Sequence, residues 1–263
     1  MIMNILREIA ERTKERIFMQ KKDLPPEKII EAVFKDSITY DFPFEKAINS
    51  KDIAFICEIK RASPSKGIIA CNFPYLDIAR DYEEAGAQAI SVLTEPYWFK
   101  GSDNYLRRIA NFAGIPLLRK DFIVDSYMIY QARLLGASAV LFICSILDGE
   151  TLFEYINIAH KIGLSALVET HSEEEVYMAL SAGARVIGVN NRNLKDFNTD
   201  MSLSERLRKL VPPGVLFVSE SGISSNSDII SLRKIKANAA LIGEALMLKE
   251  DKKKALLQLR GEL

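Results

Sequence analysis

The sequence predicts a closed (β/α)8 barrel of the TIM type with an N-terminal helical extension, and three observations predict it. Eight short apolar, β-branched runs follow one another at intervals of roughly 21 to 36 residues, the span of a strand, a helix and two loops. A motif recurs along the chain: EAGAQAISVL (84–93), LLGASAVLFI (134–143), SAGARVIGVN (181–190) and KANAALIGEA (236–245). No Gly-rich dinucleotide turn follows the first run, which argues against an open doubly wound sheet, the competing architecture. Alternating strands and helices imply a parallel sheet, because each right-handed crossover returns the chain in the same direction, and eight such strands match a closed barrel.

About 45 residues precede the first run. Within them ILREIAERTKERIF (5–18) reads as helical, and segment 1–47 is expected to fold over one end of the barrel, so that 1–263 forms a single domain. IAFICEIK (53–60) opens the barrel, and the later runs start near residues 89, 116, 139, 165, 186, 216 and 240. In three copies of the motif a helix closes at Gly86, Gly136 or Gly183, with Asn238 in the corresponding slot of the fourth; these residues tolerate the left-handed conformation. AGIPLLRK (113–120), IGLSALVE (162–169) and PPGVLFVSE (212–220) are looser copies. Between strands, DSYMIYQARLLGA places Met128, Ala132 and Leu135 on one helical face, with Asp125 or Ser126 as N-cap. In HSEEEVYMALSAGA, Ser172 and Glu175 have capping-box spacing ahead of the stripe Val176, Ala179 and Leu180. The KEDKKK run (249–254) reads as the solvated part of the last helix.

Composition narrows the function. The 263 residues carry 35 Lys+Arg against 35 Asp+Glu, so no positive field favours nucleic acid. The apolar stretches are too short to cross a bilayer, and the charged N-terminus MIMNILREIAERTKER does not suit a signal peptide. Cys57, Cys71 and Cys144 form no CxxC pair and suggest a reducing cytoplasm. His160 and His171, the two histidines, make a His-rich metal site improbable. Cys57 reads as a buried filler, and His171 as an incidental helix-entry residue, although it stands next to a polar strand end.

The functional signal lies where the apolar runs stop, the end that forms the active face of such a barrel. Glu58 and Lys60 share one face of the first strand by period-two alternation. Lys120 ends the third run, Glu169 the fifth, Asn190 the sixth and Glu220 the seventh. Charges recurring at one end of separate strands describe a polar ring, since burying each singly costs several kcal/mol. Lysines and carboxylates suit acid–base chemistry or a Schiff base, while Ser63, Ser65, Ser219 and Ser221 lack a histidine to activate them. Gly222 and Gly243 follow the last two strands, where barrels commonly hold phosphate.

These residues sit in motifs that resemble the indole-3-glycerol phosphate synthase family: EIKRASPSKG (58–67), SVLTEPYWFKGS (91–102), LLRKDFIVDSYMIYQARLLGA (117–137), LVETHSEEE (167–175), IGVNNRNLKDF (187–197), SESGI (219–223) and LIGEALM (241–247). The resemblance implies a carboxy-lyase of tryptophan biosynthesis. It would convert 1-(2-carboxyphenylamino)-1-deoxyribulose 5-phosphate to indole-3-glycerol phosphate, carbon dioxide and water, without metal or organic cofactor. By the same resemblance Lys120 is the general acid of ring closure and Glu169 the general base or proton relay. Glu58 and Lys60 serve dehydration and hold substrate, and Asn190 and Ser221 position the intermediate. Ser63, Arg192 and Glu220 are further substrate contacts, and Phe99, Phe122, Leu141 and Ile143 form the pocket for the aryl ring. Lys60, Gly222, Gly243 and Glu244 cradle the phosphate. The implied partner is a phosphorylated small molecule, with neither nucleic acid nor membrane. The chain is read as a monomer with at most weak association with other tryptophan-pathway enzymes. Ser138, where the family often has Asp, and Cys144-Ser145 depart from the pattern, and the N-terminal extension is its least family-like part. Another phosphosugar barrel, such as an isomerase or a Schiff-base aldolase, and a non-catalytic scaffold remain as alternatives.

Overall fold

The computed structural model describes residues 5–35, 37–193 and 196–263. Residues 1–4 and Asp36 of the extension, and Leu194 and Lys195 of the IGVNNRNLKDF motif, lie outside the described residues. The strands are β1 (Ala54–Ile59), β2 (Ala62–Ser63), β3 (Gly67–Ile68), β4 (Ala89–Leu93), β5 (Leu117–Lys120), β6 (Ala139–Ile143), β7 (Ser165–Thr170), β8 (Val186–Asn190), β9 (Leu216–Glu220) and β10 (Ala239–Ile242). The helices are α1 (Ile5–Asp23), α2 (Pro26–Lys35), α3 (Pro43–Ile48), α4 (Tyr75–Glu84), α5 (Asp103–Ala110), α6 (Tyr127–Leu134), α7 (Gly149–Lys161), α8 (Glu173–Ser181), α9 (Ser202–Arg208), α10 (Asn226–Lys234), α11 (Glu244–Met247) and α12 (Lys252–Arg260).

Strands β1 and β4 to β10 pair in parallel and close into a barrel, with β10 returning to β1. This is the (β/α)8 fold that the repeats predict, and β2–β3 is a small antiparallel hairpin in the loop after β1. Every residue of β1, β4, β6, β7, β8 and β10 is buried, as parallel strands require when helices cover one face and the barrel interior the other. Ala54, Ile56, Leu118, Leu141, Leu167, Val218 and Leu241 fill the interior, while Phe55, Cys57, Val92, Phe142 and Val168 meet the helices. Cys57 is therefore buried on the helix side.

The extension reaches both ends of the barrel, where the sequence suggests one. Leu6 and Ile9 of α1 pack with Phe122 and Ile143 at the carboxyl ends of the strands. Phe44 and Ile48 of α3 pack with Ala54, Ala89 and Ala239, each the first residue of its strand. Amphipathic α2 contacts α6 on the flank between them.

Three local readings need correction. Left-handed Gly86, Gly136 and Gly183 close their helices, but the equivalent residue in the fourth copy is Lys236 (φ 57°), two positions before Asn238. Asn238 instead matches Gln88: its Oδ1 accepts from Phe217 N–H at 2.9 Å, as Gln88 Oε1 accepts from Phe55 N–H at 2.7 Å. Ser172 accepts from Glu175 N–H, yet the Glu175 carboxylate accepts from His171 N–H rather than from the cap residue, so half of the expected capping box is present. Both halves form at Ser225 and Asp228. The KEDKKK run straddles the start of α12, with Asp251 capping it by accepting from Lys254 N–H.

Candidate active site

The carboxyl ends of the barrel strands surround one cavity of about 1070 Å³, which every site residue nominated from the sequence lines. At its floor, Lys120 at the end of β5 lies 3.1 Å from Glu169 Oε2 of β7 and 3.4 Å from Glu220 of β9. Asn190 at the end of β8 donates to Glu169 Oε1 at 3.2 Å. Just past the end of β1, the Lys60 ammonium lies 2.7 Å from Glu58 Oε1, on the face that alternation gives both. Gly188 in β8 makes room for this cluster, since a Cβ there would land on Glu220 Oε1.

Burial alone would neutralise these groups, so the direction in which each moves identifies the neighbour that prevails. Burial pulls the Lys120 ammonium down, but Glu169, Glu220 and Glu58 outweigh it and hold the lysine protonated, above its ordinary range. Burial pushes Glu169 up, and Lys120, His171 and Asn190 together hold it below the usual carboxylate range. Glu58 is likewise raised by burial and held low by Lys60 and Lys120. Glu220 is pushed up to about 7, by burial and by Glu169 and Glu58 against the pull of Lys120. The site thus holds a protonated Lys120, two ionised carboxylates (Glu58 and Glu169) and a third, Glu220, close to its midpoint at neutral pH. Firm protonation of Lys120 counts against its service as a Schiff-base nucleophile, which needs the free amine.

Beside the charged floor lies an apolar wall. The Phe99 and Phe122 rings are 5.9 Å apart, with Leu141 and Ile143 alongside. Buried Glu95 positions the Phe99 loop by accepting from the N–H groups of Tyr97, Trp98 and Phe99 at 2.8, 2.8 and 2.9 Å. Ile5, Leu6 and Ile9 complete the wall. Neither Glu95 nor these three aliphatic residues stood out in the sequence. The periodicity of residues 5–18 signals a buried stripe but not which end of the barrel buries it.

The opposite wall gathers Ser63, Ser221, Gly222, Gly243 and Glu244. Ser221 and Gly222 are both left-handed (φ 65° and 80°), strained for a serine. Asn191 holds that turn by donating to the backbone oxygens of Glu220 and Ser221 at 3.0 and 3.1 Å. The Glu244 carboxylate lies 3.2 Å from Arg192 and 3.6 Å from Lys66, joining the loops after β8 and β1. A Cβ on Gly243 would land on Glu58 Oε1 and stand 3.1 Å from Lys60 Nζ, so this glycine lets the Glu58–Lys60 pair approach the turn. Among the described residues, no cluster of three or more His, Cys, Asp or Glu is arranged to hold a metal ion.

His171, which sequence reading treats as incidental, stands against the centre of the site. Its Nε2 is 3.5 Å from Glu169 Oε1 and its Nδ1 is 3.4 Å from Glu175. A single histidine directly after a strand carries no periodic signal, so only the proximity of Glu169 in sequence could have marked it.

Comparison with known proteins places these features in context. Residues 6–259 match the family model described as indole-3-glycerol phosphate synthase. A protein of that name from Ruminiclostridium cellulolyticum is 54% identical over 257 residues, covering 98% of this chain and 99% of its own. Another from Lachnoclostridium phytofermentans is 49% identical over 270 residues, covering 98% and 100%. Among solved structures, a mutant tryptophan synthase alpha-subunit from Pyrococcus furiosus superposes with a TM-score of 0.61 at 14% identity, covering 80% of this chain and 99% of its own. A thiamine phosphate pyrophosphorylase from the same organism gives 0.60 at 18%, covering 81% and 96%. At such identities these two likenesses concern the barrel fold alone.

Proposed function

The chain belongs to the indole-3-glycerol phosphate synthase family, and from that premise we propose how its barrel mouth divides the work of the reaction. The protein is a carboxy-lyase of tryptophan biosynthesis. Its reaction is the decarboxylating ring closure and dehydration of 1-(2-carboxyphenylamino)-1-deoxyribulose 5-phosphate to indole-3-glycerol phosphate.

The aryl ring lies against Phe99, Phe122, Leu141 and Ile143, and the phosphate lies toward Lys60, Gly222, Gly243 and Glu244. The ring carbon bearing the carboxylate attacks the ketose carbonyl, and Lys120 donates a proton to the oxygen as negative charge develops there. A strongly held proton is poorly matched to a neutral carbonyl and well matched to an alkoxide, so donation follows bond formation. The carbon–carboxylate bond then breaks, carbon dioxide leaves, and the electron pair restores aromaticity. Departure of the hydroxyl as water needs a donated proton, and the adjacent carbon must lose one. Lys60 with Glu58, and Glu169, supply that acid and base. Asn190 and Ser221 hold the intermediate, and Ser63, Arg192 and Glu220 complete the substrate contacts. Each proton transfer contributes roughly 10²- to 10⁴-fold.

The observation that carries this reading is the convergence of Lys120 on two buried carboxylates beside an apolar wall. Residues 1–47 and the barrel act as one domain in this reading. The chain works as a monomer on a phosphorylated small molecule, in the cytoplasm. In support, α1 contributes to the cavity, all three cysteines are unpaired, and no helix among the described residues is long and apolar enough to cross a membrane. The test is to supply the carboxyphenylamino-deoxyribulose phosphate to purified protein with a chelator present. Indole absorbance and equimolar carbon dioxide are expected, and substrate persisting unchanged would overturn the reading.

A further inference from the structure

His171 connects the loop after β7 to α8 and is largely enclosed. Its ring reaches two carboxylates at once: Nε2 is 3.5 Å from Glu169 Oε1, and Nδ1 is 3.4 Å from Glu175. Glu175 also accepts from the His171 backbone N–H at 2.6 Å, so the carboxylate at the start of α8 fixes the main chain of this residue and flanks its ring, whose two nitrogens make no hydrogen bond. Two carboxylates flanking opposite ring nitrogens at 3.4 and 3.5 Å favour the imidazolium, whose charge interacts with both.

Charge balance at the cavity floor points the same way. Glu58, Glu169 and Glu220 are buried there, and among the described residues the ammonium groups in contact with them are Lys60 and Lys120. Once Glu220 ionises as well, three carboxylates against two ammonium groups leave one negative charge unmatched in a region poorly reached by water. Among the described residues, His171 is a further ionisable group within ion-pair distance of that cluster. The groups facing it are Glu169 on β7, Glu175 on α8 and, farther away, Glu220 on β9; all are acidic, and they outweigh burial in raising its affinity for a proton. Cys144, in the turn after β6, touches the Glu175 carbonyl and is held as the neutral thiol by burial.

We propose that His171 is a positioning residue for Glu169: as an imidazolium bridging Glu175 and Glu169, it supplies the third cation of the cluster and holds Glu169 ionised with its Oε2 turned to Lys120. The inference rests on the reading of Glu169 as a proton-transferring carboxylate. Loss of that cation removes a charge that holds Glu169 ionised and in place, and raises the proton affinity of Glu169 and Glu220. Activity should therefore fall as pH rises through the titration of His171, although Glu169 itself titrates far lower.

The chain has only two histidines, His160 and His171, so imidazole NMR resolves both, with the variant His160→Phe assigning the signals. In otherwise unaltered protein the His171 signal should titrate above 6.5, and in Glu169→Gln its midpoint should drop. His171→Gln should lower kcat about tenfold, the equivalent of one charge-assisted contact. KM should stay close to normal, and the alkaline limb assigned to His171 should vanish. His171→Lys, which keeps a cation, should recover part of kcat. Titration of His171 at or below 6.5 would overturn the proposal, as would an unaltered kcat and pH profile in His171→Gln while Glu169→Gln is inactive. Full turnover by Glu169→Gln would instead remove the reading of Glu169, and the proposal with it.

Discussion

Arg16 of the N-terminal helix donates to both carboxylate oxygens of Asp121, at 3.0 and 3.1 Å, and Asp121 is the residue that follows Lys120. Asp121 also accepts from Thr94 at 2.6 Å and lies 3.4 Å from Arg119, which also donates to Asp103 at 2.8 Å, to the Met128 carbonyl at 2.9 Å and to Thr94 at 3.2 Å. Arg119 is fully enclosed. Strand alternation thus sends Lys120 into the cavity and its two neighbours into a buried chain of two arginines and two aspartates behind it. The chain fastens α1, and with it Ile5, Leu6 and Ile9, to the strand that carries Lys120.

Arg16→Ala leaves Asp121 with Arg119 and Thr94, so the loss is that of one charge-assisted contact rather than an orphaned charge. A destabilisation of about 1–3 kcal/mol is expected, together with a raised KM as α1 loosens over the apolar wall. Thermal melts and steady-state kinetics check both. An unaltered KM with a lowered melting temperature would confine Arg16 to stability.

Much of this site is legible in the sequence. Lys120, Glu169, Asn190 and Glu220 announce themselves because a charge at the end of an apolar parallel strand has few places to go but the barrel mouth. Arg119 and Asp121 sit in the same motif yet gave no sign of full burial, because their partners Arg16 and Asp103 are distant in sequence. His171 was misjudged for the same reason: its meaning comes from Glu175 and from the spacing of β7 against α8. Lys236 was missed because a lysine at a left-handed position contradicts the preference that made Asn238 the natural choice.

Gly243→Ala tests how closely the wall near the phosphate turn is fitted. The Gly243 backbone (φ −117°) accepts an alanine, so the only conflict is between the new Cβ and the Glu58–Lys60 pair. Displacing that pair by an ångström should reduce kcat/KM by about 10²-fold while leaving the fold intact. Gly214→Ala, where a Cβ meets nothing within 4 Å, is the control. Equal kcat/KM in the two variants would show that the Glu58–Lys60 position is not critical.

Stability should depend on pH through His160, at the end of the barrel remote from the cavity. Burial and then nearby Arg185 lower this histidine from 6.5 to about 4, and the Phe42 ring meets it edge-on at 5.8 Å. The unfolded chain takes up a proton below 6.5 that the folded chain refuses until about 4. Stability is therefore present above that window and lost as pH falls through it. The melting temperature should decline between those values, and His160→Phe, which keeps the edge contact, should decline less. Parallel declines in the two proteins would assign the effect to other groups.

The most direct test of Lys120 as the acid of ring closure is single-turnover indole formation by Lys120→Ala. The variant should fold, because Glu169 and Glu220, left side by side, can share a proton. Turnover lower by about 10²- to 10⁴-fold, with substrate affinity changed little, is the expected result. Turnover within tenfold of the unaltered protein would contradict the role given to Lys120.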